Sequence, residues 1–163
     1  MCLQVLKDTL FGQRLRYTWT PKGNIGTLNR KGKSKGVLTG GNLSMLYSLL
    51  GSPSDSDTEG KILFLEDLDE YLYHIDRMMM NLKRNGKLSK LKGLIVGGMT
   101  EMKDNTIPFG RTAEEIIREA VAEYDYPVVF GFPGGHLPNN YPILLGREAT
   151  LSVGDKMELT FHA

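Results

Sequence analysis

This sequence offers almost nothing to cross-link. Its 163 residues hold one cysteine, Cys2, so no disulfide can form within the chain. That scarcity suits a reducing compartment and excludes the disulfide-stapled secreted scaffolds. Cys2 stands at the terminus with no partner near it in sequence and reads as an ordinary thiol. Long apolar runs are missing as well. None approaches the ~20 residues that a membrane-spanning helix needs. Gln4, Lys7 and Asp8 interrupt any apolar stretch of the kind a signal peptide carries. Excess charge is also absent: 20 Lys and Arg stand against 19 Asp and Glu, a net +1. Such a balance points neither to nucleic acid nor to an anionic membrane surface. The densest basic run, Arg30-Lys31-Gly32-Lys33-Ser34-Lys35, is short and mixed with Gly and Ser, and reads as a solvated loop. No internal repeat is visible.

What is present fits one globular domain over residues 1–163. Hydrophobic content is 40% and charged content 24%, and single domains commonly run to about 100–200 residues. A chain of this length buries a core without staples.

Patterning divides the chain into alternating elements. Residues 14–20 (RLRYTWT) alternate as a strand, and a Gly- and Lys-rich surface loop is expected over 22–35. A short strand at 36–39 gives way at Gly40-Gly41 to a helix, LSMLYSLL, with Asn42 as its N-cap. Residues 51–60 (GSPSDSDTEG) are a polar loop. The run KILFL at 61–65 is continuously apolar, as in a strand of a parallel sheet covered on both faces, and it stops at Glu66-Asp67. Leu72, Ile75, Met79 and Leu82 then recur at helical spacing, with Gly86 as a stop signal. A second buried strand, 94–96, ends at Gly97-Gly98. Thr112 caps a helix whose first turn is acidic. A third buried strand, 127–130, ends in GFPGGH. The tail, 149–162, reads as two antiparallel strands around Gly154-Asp155. The expected class is mixed α/β: a mostly parallel central layer with helices packed on it and antiparallel strands from the chain ends.

In open α/β sheets, ligand sites lie beyond the carboxyl ends of the strands. Glu66 and His136 each follow such an end and are expected at one edge of the sheet. A carboxylate beside an imidazole is the orienting half of a nucleophilic site: it fixes the tautomer and stabilises the imidazolium. Plainer readings stand beside this one. A carboxylate closing a strand also serves as a loop residue or a helix cap, and a His after Gly-Gly also sits in ordinary turns. His74, inside a helix, reads as surface or core, and His162 as an edge-strand residue.

The blocks GVLTGGNLSMLYSLLGSP, GKILFLEDLDEYLYHIDRMMMNLKRNGKL, LKGLIVGGM and PVVFGFPGGHLPNNYPILLGREATL, in this order and spacing, resemble the C-terminal domain of LD-carboxypeptidases. This serine peptidase family includes the microcin C immunity proteins. The resemblance runs from about residue 6 to the end. It implies a swivelling β/β/α fold, and it implies Glu66 and His136 as the acid and histidine of a Ser–Glu–His triad, with Glu70 second choice for the acid. It also implies hydrolysis of the L,D bond to the terminal D-alanine of a murein tetrapeptide during cytoplasmic cell-wall recycling. No metal or cofactor is implied, and the whole enzyme is expected to be a homodimer. The family's nucleophile is a serine in a Gly-x-Ser-Asp turn of a separate N-terminal domain, which also supplies the oxyanion hole. This chain lacks that domain. Ser54-Asp55 is the nearest look-alike, but Ser54 follows a helix rather than a strand–helix elbow. Ser44 and Ser48 are ordinary helix residues. The chain alone is therefore expected to fold without activity. The alternative is a non-catalytic domain that binds a murein peptide or a protein partner.

Overall fold

The computed structural model describes residues 2–21 and 23–162, without the side chain of Cys2, so the reading of its thiol lies outside what is described. The elements run α1 (Cys2–Leu10), β1 (Arg16–Trp19), a 3-10 helix (Gly23–Leu28), β2 (Gly32–Asn42), α2 (Leu43–Leu49), β3 (Ile62–Leu68), α3 (Leu72–Arg84), β4 (Gly93–Thr100), α4 (Ala113–Ala120), β5 (Val128–Val129), β6 (Glu148–Val153) and β7 (Met157–Phe161). No helix among the described residues is long and apolar enough to cross a membrane.

Seven strands form one sheet in the order β1-β7-β6-β2-β3-β4-β5. Strands β2 to β5 are parallel, and β1, β7 and β6 are antiparallel neighbours drawn from the two ends of the chain. β2 joins the two halves. Its residues 32–37 pair antiparallel with β6, and its residues 38–42 pair parallel with β3.

The apolar run in β3 is buried because both of its faces are covered. Leu63 and Leu65 meet α3 and α4 through Ile75, Met79 and Ile116. Ile62 and Phe64 face a second cluster that includes Phe132, Leu151 and Phe161. Thr112 makes the expected cap as a full capping box with Glu115. Asn42 caps α2 by accepting from the Met45 N–H.

Three features differ from the sequence reading. β3 and β4 do not stop at Glu66 and Gly97 but run on to Leu68 and Thr100. Polar residues stay in strand there because the structure that covers them also pairs them. The loop expected at 22–35, of which residue 22 lies outside the described residues, is over 23–35 mostly a 3-10 helix and the first part of β2. Its partner, β6, is more than a hundred residues away in sequence, and no local pattern announces such a pairing. Lys33 and Lys35 point outward from it, as an alternating strand requires. Arg30 is not solvated either. Its backbone pairs with Val128, and its guanidinium reaches the carbonyl oxygens of Val121, Ala122 and Tyr126 just beyond α4. α1, in a stretch where the pattern assigned no element, lies outside the sheet.

The two neighbours in the basic run should therefore behave differently. Arg30→Ala strips a charged donor from three carbonyls and should cost about 1.5–3 kcal/mol of unfolding free energy. Lys31→Ala removes only an exposed ion pair with Asp155 and should leave the urea midpoint unchanged. Equal midpoints for the two variants would refute a structural role for Arg30.

Candidate active site

Alternation along β3 sends two adjacent carboxylates to opposite faces. Asp67 continues the face of Leu63 and Leu65, toward the helices. It is buried and accepts from the Asn42 side-chain amide, the Ser44 N–H and the Leu68 N–H, each at 2.9 Å. It thus ties the start of α2 to β3. Glu66 continues the face of Ile62 and Phe64, and only 6% of its surface is exposed. The β3–β4 register shifts at this point: Leu65 lies opposite Val96 but Asp67 opposite Met99, so Glu66 faces the pair Gly97-Gly98.

The loop that follows β5 lies over this irregular ladder. Phe132 N–H bonds to the Val96 carbonyl, Gly98 N–H bonds to the Gly134 carbonyl, and the Thr100 hydroxyl donates to the His136 carbonyl. Two glycines make the approach possible. A Cβ on Gly97 would stand 2.4 Å from the Gly134 oxygen. Gly135 has φ +103°, and a Cβ there would come within 2.7 Å of both Cβ and Oε2 of Glu66. The loop crosses the carboxylate because it has no side chain at that point.

The crossing brings His136 onto Glu66. His136 Nδ1 lies 2.7 Å from Glu66 Oε2, and the His136 backbone N–H reaches the same oxygen at 3.3 Å. The carboxylate is almost wholly covered while 51% of the imidazole side chain is exposed. A carboxylate that accepts at Nδ1 holds the proton on that nitrogen and leaves Nε2 as the basic atom. Through Nε2 the ring can take a proton from a hydroxyl, and Glu66 then faces the cation that results.

The other sequence candidates lie elsewhere. Glu70, second choice for the acid, pairs with His74 Nδ1 at 2.7 Å, one turn along in sequence, and not with His136. His74 packs edge-on against Tyr47. His162 meets the Thr150 hydroxyl at 2.7 Å, on the antiparallel strands. Ser54 is exposed in a turn whose neighbour Asp55 pairs with Lys87, at the amino ends of the parallel strands. Glu66 and His136 occupy the carboxyl ends. Ser44 and Ser48 bond within their own helix region, to Asn42 and to the Met45 carbonyl. Asp67 and Thr100 were not singled out from the sequence as parts of the site's frame. Extending the alternation of KILFL by two residues would have placed Asp67 on the helix face. Thr100 had no local signal, since its partner is the backbone of a loop 36 residues away.

A family model described as the LD-carboxypeptidase C-terminal domain matches residues 35–151. The chain is 35% identical over 148 residues to a probable murein peptide carboxypeptidase of Bacillus subtilis, covering 88% of this chain and 45% of that one. It is 28% identical over 122 residues to a murein tetrapeptide carboxypeptidase of Pseudomonas aeruginosa, covering 74% and 39%. The crystal structure of muramoyltetrapeptide carboxypeptidase from Oxalobacter formigenes superposes with a TM-score of 0.86 at 29% identity, covering 99% of this chain and 54% of that one. The chain thus spans about half the length of the relatives it matches.

The geometry makes Gly135→Ala a direct probe of the pair. The added methyl meets Glu66 and forces an L residue into positive φ, which costs on the order of 1–3 kcal/mol. We expect the low-field Nδ1 proton resonance of His136 to disappear in this variant while the rest of the spectrum remains that of a folded protein. An unchanged Nδ1 signal would mean that the loop does not depend on the missing side chain.

Proposed function

The chain belongs to the LD-carboxypeptidase family, as its C-terminal domain, and from this premise we propose that it supplies the Glu–His half of a serine-type LD-carboxypeptidase site. The observation that carries the reading is the buried Glu66 carboxylate set against Nδ1 of an imidazole that is itself half exposed. The substrate is a murein tetrapeptide, as the names of its relatives suggest, and the bond is the L,D linkage to the terminal D-alanine. The setting is cytoplasmic cell-wall recycling, and the working enzyme is a homodimer.

The site residues divide the work. His136 Nε2 removes the proton from a serine hydroxyl as the oxygen attacks the carbonyl carbon of the L,D bond. Glu66 stabilises the imidazolium that forms and keeps the ring from turning. His136 then returns the proton to the departing amine of D-alanine, leaving an acyl-enzyme. In the second half, His136 takes a proton from the water that attacks that ester and returns it to the serine oxygen as the acid product leaves. The serine and the oxyanion donors come from a domain outside this sequence. Without them the pair has no hydroxyl to activate and nothing to hold the developing negative charge.

The test is D-alanine release from a murein tetrapeptide by this chain, alone and mixed with a separately made Gly-x-Ser-Asp domain of a family member. Release is expected only in the mixture. Glu66→Ala and His136→Ala should each lower kcat by about 10³–10⁴-fold, and the double variant should lose little more, because linked catalytic residues are strongly non-additive. Ser54→Ala should be silent. Release by the chain alone that Ser54→Ala abolishes would overturn the proposal and make Ser54 the nucleophile. Near-normal activity of Glu66→Ala in the mixture would remove Glu66 from the site.

A further inference from the structure

His136 bonds through its ring, its backbone N–H and its carbonyl, and the first two meet a single partner atom. Nδ1 and the N–H both reach Glu66 Oε2. Bonds that converge on one atom fix a distance but leave the residue free to turn about that atom. Nε2, on the far side of the ring, would then sweep an arc. The carbonyl oxygen accepts elsewhere, from the Thr100 hydroxyl at 3.2 Å. The peptide that follows His136 has its N–H, that of Leu137, on the Gly135 carbonyl at 2.9 Å, a three-residue turn centred on His136. That turn travels with the loop, whereas the Thr100 bond ties the same peptide to the sheet. The Leu137 side chain also lies on β4, where a Cβ added to Gly98 would stand 2.9 Å from its Cγ. This apolar contact holds the loop down without orienting the peptide plane.

β4 reaches Thr100 only by departing from regular pairing. The strand crosses Gly97-Gly98 and the register shift before it sets Thr100 opposite Leu68. Leu68 is two residues beyond Glu66, so Thr100 presents its hydroxyl on the Glu66 face. The Thr100 carbonyl accepts from the Asp69 N–H at 3.0 Å. Just past this pair both strands turn through left-handed residues, Asp69 at φ +63° and Glu101 at φ +53°, and among the described residues no other non-glycine residue has a positive φ. Such conformations persist where the surrounding structure over-determines them, and they gather at functional sites. Here Asp69 is fixed by an ion pair at 2.6 Å with Lys103, whose own N–H and carbonyl bond to Glu70 and Leu72. We propose that Thr100 is a positioning residue: its hydroxyl, acting through the His136 carbonyl, sets the direction in which Nε2 faces the serine. The inference deepens the catalytic reading given above and rests on it.

The experiment compares the full chain with Thr100→Val, Thr100→Ser and the control Thr150→Val, which strips the hydroxyl that meets His162. Valine keeps the branched shape of threonine and its preference for strands, so the thermal midpoint should hold. One readout is NMR of the chain by itself: the low-field Nδ1 proton of His136 and the carbon relaxation of its ring. The other is D-alanine release from a murein tetrapeptide in a mixture with a separately made Gly-x-Ser-Asp domain of a family member. Thr100→Val should keep the Nδ1 resonance, because Glu66 is untouched, while the ring loses order. Its kcat should fall by about 10²-fold at unchanged KM, the loss expected when a reacting group is misplaced by ~1 Å. Thr100→Ser and Thr150→Val should match the unaltered chain in both readouts. An unchanged ring and rate in Thr100→Val would overturn the proposal, as would an equal loss in Thr100→Ser. Disappearance of the Nδ1 resonance in Thr100→Val would overturn it as well, since the hydroxyl would then hold the whole loop on Glu66 rather than orient the ring. If the unaltered mixture released no D-alanine, the catalytic reading would fall by itself. A ring loosened in Thr100→Val alone would then still support Thr100 as the group that sets its direction, and an unchanged ring would overturn that.

Discussion

The contact between Glu66 and His136 is the constraint around which this domain is arranged. Taking a carboxylate out of water costs several kcal/mol unless charge-assisted hydrogen bonds replace the lost hydration. Here the replacement is an imidazole nitrogen and a backbone N–H of the same residue, both on one oxygen. Those donors reach Glu66 only if the loop lies directly on the strand, and the loop lies there only because Gly135 and Gly97 present no side chain. The register shift between β3 and β4 belongs to the same arrangement, since it sets Glu66 opposite the two glycines. Carboxylate, loop and irregular ladder form one unit, and removal of any member leaves another unsatisfied.

A second carboxylate keeps that unit in place from behind. Asp67 is adjacent in sequence and opposite in direction, and it satisfies Asn42, Ser44 and Leu68. Asn42 is also the residue of β2 that pairs in register with Glu66. One strand end therefore carries an acid that holds an imidazole on one face and an acid that ties α2 to the strand on the other. The division follows from the two-residue repeat of a strand and the different materials packed on its two sides: helices on one, a glycine loop and antiparallel strands on the other. The Thr100 hydroxyl adds a third tether by holding the His136 carbonyl. The imidazole is left exposed on a rigid base, the arrangement that the proposed proton transfer to a separate nucleophile requires.

Much of this was fixed by local pattern. The continuous apolar run of β3 demanded cover on both faces. The 3.6-residue spacing of Leu72, Ile75, Met79 and Leu82 gave α3. Thr112 with Glu115, and Asn42 before an apolar stretch, marked two helix starts through donors that need acceptors nearby. Placement of Glu66 and His136 at the same edge followed from parallel strands sharing one direction. Each of these inferences uses interactions within a few residues, or a symmetry of the sheet, and so survives without knowledge of the partner.

Tertiary structure decided what rests on distant partners. Arg30 and the lysines after it have the composition of a loop, and only β6 and the end of α4 make them a strand and a brace. β3 continued past Glu66 because a loop 70 residues later covered it. Glu70 and Glu66 are four residues apart, and sequence could not rank them by geometry. The fold gave Glu70, just before α3, to His74 in its first turn, and Glu66 to His136 across the sheet edge. Which acid meets which base depends on side-chain direction and the path of a remote loop, and both are set by packing of the whole domain rather than by the identity of the neighbouring residues.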